Sequence, residues 1–208
     1  MKALRSLLFS MLLIASSSVC LAQISINAGY KASIIDITRT TMGEDSHTSG
    51  SGISLDALYN IPISTKYSLN LETGLGFHYL FFNDSMYYKS DLSNVYLPVR
   101  VSHDIPLNQS ITLAPFAGLY ARYFLHYNSY KYSTEQGSSP TVVNVFKTIE
   151  EGEVINRGLV GGQLGLLIKG GDHFILELGY GFDFTKFTKS WVGYSRIHTF
   201  SISLGYKF

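Results

Sequence analysis

From Ile24 onward the chain alternates apolar and polar residues in eight separate segments. A side chain that changes face at every step belongs to a β-strand, because the strand repeat is two residues. The last segment shows the pattern most cleanly. His198, Phe200, Ile202, Leu204, Tyr206 and Phe208 share one face, and Thr199, Ser201 and Ser203 share the other. The seven before it are ISINAGYKASI (24–34), SGISLDALYNI (51–61), KYSLNLETGLGFHYL (66–80), NVYLPVRVSH (94–103), SITLAPFAGLYARYF (110–124), LVGGQLGLLIK (159–169) and HFILELGYGFDF (173–184). The fifth is the least regular, since Phe116 falls on its polar face and Pro115 on its apolar face.

Each segment is about the length a tilted strand needs to cross a bilayer. The connections alternate in length. PIST (62–65), DIPLNQ (104–109) and KGGD (169–172) are short, whereas 36–50, 82–93, 127–156 and 185–195 are longer and polar or aromatic. Short turns at one end and long loops at the other predict an all-β, eight-stranded antiparallel up-and-down transmembrane β-barrel. An even number of strands puts both termini on the short-turn, periplasmic side.

The charges sort by face. Lys31, Asp56, Glu72, Arg100, Arg122, Glu177 and Asp183 all fall on the minority face, beside Gly, Ser and Thr. Period two alone does not say which face is inside, and a secreted lipocalin-like barrel would reverse the sorting. A wide aromatic face and a leader sequence favour lipid outside. The seven charged residues are then expected to form a polar network in the lumen, satisfying one another in a barrel too narrow for more than side chains. The sharper alternative for the same residues is an ion path or proton relay.

The first 22 residues read as a signal peptide, with Lys2 and Arg5 ahead of a short apolar stretch and cleavage after Ala22. The barrel domain is then 23–208. Cys20 lies within the leader, and the residues before it fit a lipoprotein site poorly. The chain has no other cysteine, so the barrel has neither a disulfide nor a thiolate metal site. Beyond the leader no run of 18 apolar residues marks a transmembrane helix. Only 15% of residues are charged and the formal net charge is +1, which offers no field to recruit nucleic acid.

A regular last strand ending on an aromatic residue suits a ring in which first and last strands pair. Phe200, Ile202, Leu204, Tyr206 and Phe208 are similar to the signal read by the outer-membrane barrel assembly machinery, an expected partner along with outer-membrane lipids. SLDALYNIPIS, VYLPVRVSHDI, LAPFAGLYARY and LVGGQLGLLI resemble the PorT-like small outer-membrane β-barrels of Bacteroidota, of the OmpA/OmpX-like eight-stranded type. The resemblance covers essentially the whole barrel domain. It implies a monomer in a Gram-negative outer membrane and carries no catalytic signature.

Candidate sites are sparse. His78, His103, His126, His173 and His198 are scattered, with no HExxH or comparable spacing, so neither metal nor cofactor is expected. A rim enzyme acting on lipid would draw on Ser190, Ser195, His198 and Glu153, but His198 lies on the lipid-facing register and no nucleophile motif accompanies it. We expect a non-enzymatic envelope barrel or binding platform. The alternatives are a narrow channel or transport-complex component, and a rim-active lipid-modifying enzyme. The longest loop, 127–156, is the expected docking site for an envelope or extracellular partner, with FFNDSMYYKS (81–90) and KSWVGYS (189–195) adding an aromatic outer surface. Within that loop TVVNVF (141–146) is suited to extend two strands as a protruding hairpin with an open edge.

Overall fold

The computed structural model describes residues 23–39, 46–83, 88–131, 141–146, 154–190 and 193–208. The expected signal peptide, 1–22, lies outside these residues. The strands are β1 (Gln23–Arg39), β2 (Ser46–Ser64), β3 (Leu69–Asn83), β4 (Tyr88–His103), β5 (Ile105–Pro106), β6 (Ile111–Lys131), β7 (Thr141–Asn144), β8 (Val154–Ile155), β9 (Gly158–Gly170), β10 (Phe174–Asp183), β11 (Thr188–Ser190) and β12 (Gly193–Lys207).

Eight of them form a ring in the order β1-β2-β3-β4-β6-β9-β10-β12, and β12 pairs back onto β1. Every pairing is antiparallel. The seam runs from Ser25↔Lys207 to Arg39↔Gly193, and the Phe208 N–H donates to Ile24 O at 2.9 Å. Closing the ring satisfies backbone groups that an open sheet would leave bare, which lipid does not tolerate.

The faces settle which way the barrel is turned. Ile26, Leu55, Phe77, Val99, Leu119, Leu164, Leu178 and Ile202, one from each ring strand, are exposed on the outer wall. Lys31, Asp56, Glu72, Arg100, Arg122 and Asp183 are buried. A lipocalin-like barrel would show the opposite arrangement, so this one is built for lipid outside.

Several boundaries differ from the sequence reading. The first turn is Thr65–Ser68, with Ser68 at a φ of 50°, so β3 starts at Leu69 and β2 carries a register shift between Pro62 and Ser64. The third turn uses Gly171 at a φ of 57°, a conformation that favours glycine. Much of the expected long loops is strand instead: β1, β2, β4, β6 and β12 all continue past the apolar band. The polar residues there do not break the ladder, because strand pairing is a backbone property that continues wherever a neighbour runs alongside.

The TVVNVF segment supplies β7, paired with the top of β6 from Asn128↔Asn144 to Lys131↔Thr141. The short β8 and β11, which pair with each other, have no sequence signal.

The inside is layered. At the loop end Ile35, Leu80, Phe82, Leu92, Phe124, Leu159 and Ile197 converge, and Phe146 and Phe187 fold in from the connections. Phe187 lies 5.1 Å from Phe124 between ring centroids. Toward the turn end Ala114, Phe116, Leu167 and Ile175 make a smaller apolar cluster. The sequence reading contains no apolar layer inside, because it takes the minority face by its charges alone.

Candidate functional site

The middle of the lumen holds the charges, each delivered inward by strand alternation. Arg100 on β4 is the hub. Its Nε donates to Glu72 Oε2 at 2.7 Å, and its two terminal nitrogens donate to Glu177 Oε1 and Oε2 at 2.8 and 2.9 Å. Ser102 Oγ donates to the other Glu72 oxygen at 2.9 Å. The guanidinium also sits 4.2 Å over the Phe116 ring. The inward Phe116 that weakens the pattern of the fifth segment is therefore the platform for this cation.

A second set lies closer to the loop end. Arg122 pairs with Asp183, and Tyr120 O–H donates to Asp183 Oδ1 at 2.7 Å. Asp56 bonds His78 Nε2 at 2.9 Å, and His78 packs on Tyr96 at 4.5 Å. Tyr96 O–H in turn donates to Gln163 Oε1 at 2.8 Å. The Lys31 ammonium lies 5.6 Å from the Tyr96 ring centroid. The structure thus turns all seven charged residues into the lumen in two neighbouring sets, with His78, Tyr96, Tyr120 and Gln163 among them.

Little open space remains. The cavity among Lys31, Asp56, His78, Tyr96, Arg100 and Arg122 measures about 40 Å³, room for a few waters. A second cavity of about 160 Å³, near the turns, is lined by Asn27, Asn60, Glu72, Asp104, Lys169 and Lys207. Arg100 and Glu72 lie between the two, and the apolar layer covers the loop end.

The outer wall is not uniformly apolar, because strands continue through stretches expected as loops and carry polar residues outward. At the loop end Asp36 bonds His47 Nδ1 at 2.8 Å and His198 Nε2 at 3.2 Å, and Tyr180 O–H meets His198 Nδ1 at 2.7 Å. Asp91, Ser93 and His126 form a second outward group, with Tyr79 bonded to Asp91. Both groups fall in or beside stretches expected as loops, which hides their strand faces.

Of the residues suggested for a rim enzyme, Ser195 and His198 do not come together. Ser195 faces inward and bonds Thr188 Oγ1 at 2.6 Å, while His198 faces outward. Glu153 lies outside the described residues. Among the described residues no group of three or more His, Cys, Asp or Glu side chains is placed to hold a metal. The positions expected to signal assembly, Phe200, Ile202, Leu204, Tyr206 and Phe208, all face outward.

No family model and no curated protein matches the chain. Solved structures do. Neisserial surface protein A is similar over 90% of this chain and 99% of its own, with 14% identity and a TM-score of 0.50. A major outer membrane protein of Thermus thermophilus covers 90% of this chain and 100% of its own, with 13% identity and a TM-score of 0.49. Ail, the attachment invasion locus protein of Yersinia pestis, covers 90% and 99%, with 14% identity and a TM-score of 0.44.

The fold is that of the small bacterial outer-membrane barrels. With an apolar band on every strand, this one is a membrane barrel, and the outer membrane is where such barrels reside.

Proposed function

We propose that this protein is an outer-membrane barrel with a structural plug for a lumen, serving as envelope structure or as a binding platform through its loop-end extension. The observation that carries the reading is the filled interior: bidentate Arg100–Glu177 spans the barrel, and the apolar layer covers it. What is left to meet a partner is the outside. There β6 runs 21 residues, well beyond the roughly 9–11 that span a bilayer, and carries β7 on its far end. The described part of the 127–156 loop therefore presents a short β-hairpin, a form that takes up a partner strand through backbone bonds.

The PorT-like resemblance of the strand stretches is part of this reading, as are the leader over 1–22, the monomeric state and the assembly role of the alternate outward residues from Phe200 to Phe208. The test is conductance in planar bilayers. A plugged barrel gives no ion steps, and regular steps from the folded protein would overturn the reading in favour of a channel.

A further inference from the structure

The outward group at the loop end of β4 and β6 has the connectivity of a nucleophilic relay. His126 Nε2 lies 3.1 Å from Asp91 Oδ2, and His126 Nδ1 lies 2.7 Å from Ser93 Oγ. A carboxylate only accepts, so Nε2 carries the proton. Nδ1 of the neutral ring is then an acceptor, and the bond from Ser93 is O–H donating to nitrogen. This is a serine hydrogen-bonded to a base that an acid orients, the arrangement that activates a hydroxyl for attack on a carbonyl. The two ring nitrogens exchange places relative to the usual order, which leaves the proton path intact.

The backbone irregularity there has a direct effect. Ser93 pairs with His126 and Asn94 with Phe124, so Leu125 is an extra residue in β6. Without this bulge the alternation that buries Phe124 would turn His126 into the apolar layer. With it, His126 faces outward beside Ser93. Bulges are known to re-aim side chains in this way next to active sites.

The level on the wall identifies the substrate. Ser93 pairs with Tyr79, which stands ten residues along β3 from Leu69 at the turn end. A strand tilted by about 40° climbs roughly 25 Å over that distance, the height of the apolar band. Ser93 therefore lies where acyl chains give way to headgroups. Phe81 and Leu125, both exposed, flank it with apolar surface.

We propose that Ser93, His126 and Asp91 form an acyl-ester hydrolase site for membrane lipids on the outer wall. Ser93 Oγ bonds to the acyl carbonyl carbon while its proton passes to His126 Nδ1, and Asp91 holds the opposite N–H. The ester C–O bond then breaks, and the proton goes from His126 to the leaving alkoxide. Water repeats the sequence and releases the fatty acid. Ser93 is only 1% exposed, closed over by the Tyr79 and His126 rings with centroids 5.7 Å apart. Tyr79 has to swing off Asp91 for an ester to reach the hydroxyl. This goes beyond the platform reading and uses none of its surfaces.

The test uses the full-length protein recovered from outer membranes, with folding of every sample verified by its unboiled gel mobility. A fluorophosphonate probe is applied and the labelled peptide located by mass spectrometry. Fatty-acid release is measured from phosphatidylethanolamine vesicles and, separately, from vesicles containing lipid A. Ser93→Ala prepared identically subtracts contaminating hydrolases. The expected result is probe on Ser93, lost in His126→Gln, and release from one of the two lipids that falls about 10³-fold or more in Ser93→Ala. Whichever lipid loses fatty acid identifies the source of the ester. No probe on Ser93 of the folded protein, or release indistinguishable from Ser93→Ala with both lipids, overturns the proposal.

Discussion

Arg100→Met keeps an unbranched apolar stem but removes the guanidinium and its charge, leaving Glu72 and Glu177 without their cation. Three charge-assisted bonds disappear, each worth about 1.5–3 kcal/mol, so the unrelaxed loss is roughly 5–9 kcal/mol. Relaxation lowers it. The Glu177 side chain is 13% exposed and can take on water, whereas Glu72, at 5%, is shielded. Removing one partner of a buried ion pair costs about 3–5 kcal/mol in such settings, and we expect that range here. The triple variant Arg100→Met, Glu72→Gln, Glu177→Gln removes the stranded charges as well and should recover at least half the loss. The assay is urea titration of the barrel refolded into lipid vesicles, with the folded fraction read from unboiled gel mobility. A loss below about 1 kcal/mol, the worth of a surface pair, would refute the reasoning. So would a triple variant no more stable than the single one.

Other expectations follow from other layers. Gly165→Val places a Cβ 2.2 Å from Leu178 O and 2.5 Å from the Phe116 ring, so the urea midpoint should fall by the equivalent of about 1–3 kcal/mol. Phe124→Ala empties the centre of the apolar layer, where Phe124 is fully buried, at a cost of about 3–5 kcal/mol in the same titration. Leu55→Arg puts a charge on the lipid-facing wall, where it costs up to about 2–4 kcal/mol at mid-bilayer, and should reduce the folded yield in vesicles far more than in micelles.

The barrel is legible from the sequence because its signal is redundant. A two-residue period repeated in eight segments, with charges kept to one face, leaves few other architectures. The inward positions of Lys31, Asp56, Glu72, Arg100, Arg122, Glu177 and Asp183 follow from parity along each strand. Their partners do not. That Arg100 meets Glu177 rather than Asp183 depends on how strands stagger around the ring, which no local pattern encodes. The apolar layer is hidden because Phe82 and Phe187 fall in stretches that read as long connections, while Phe124 closes the fifth segment on a face read by its charges. The Asp91–Ser93–His126 group is illegible for a sharper reason. One inserted residue, Leu125, reverses the parity of everything beyond it on β6, and nothing in the residues LHYNS announces it.

The Arg100–Glu177 fork has a consequence for how many strands this ring can have. The two residues are 77 apart in sequence and stand on nearly opposite staves, β4 and β10. Both side chains extend inward from their strands and meet as a bidentate pair at the observed width. Barrel width grows roughly in proportion to strand number, and a ring of seven or nine would shift the far wall by about one part in eight. At either width the fork would crowd or fall short. The salt bridge therefore acts as a gauge block, matched to the width that eight strands give the ring.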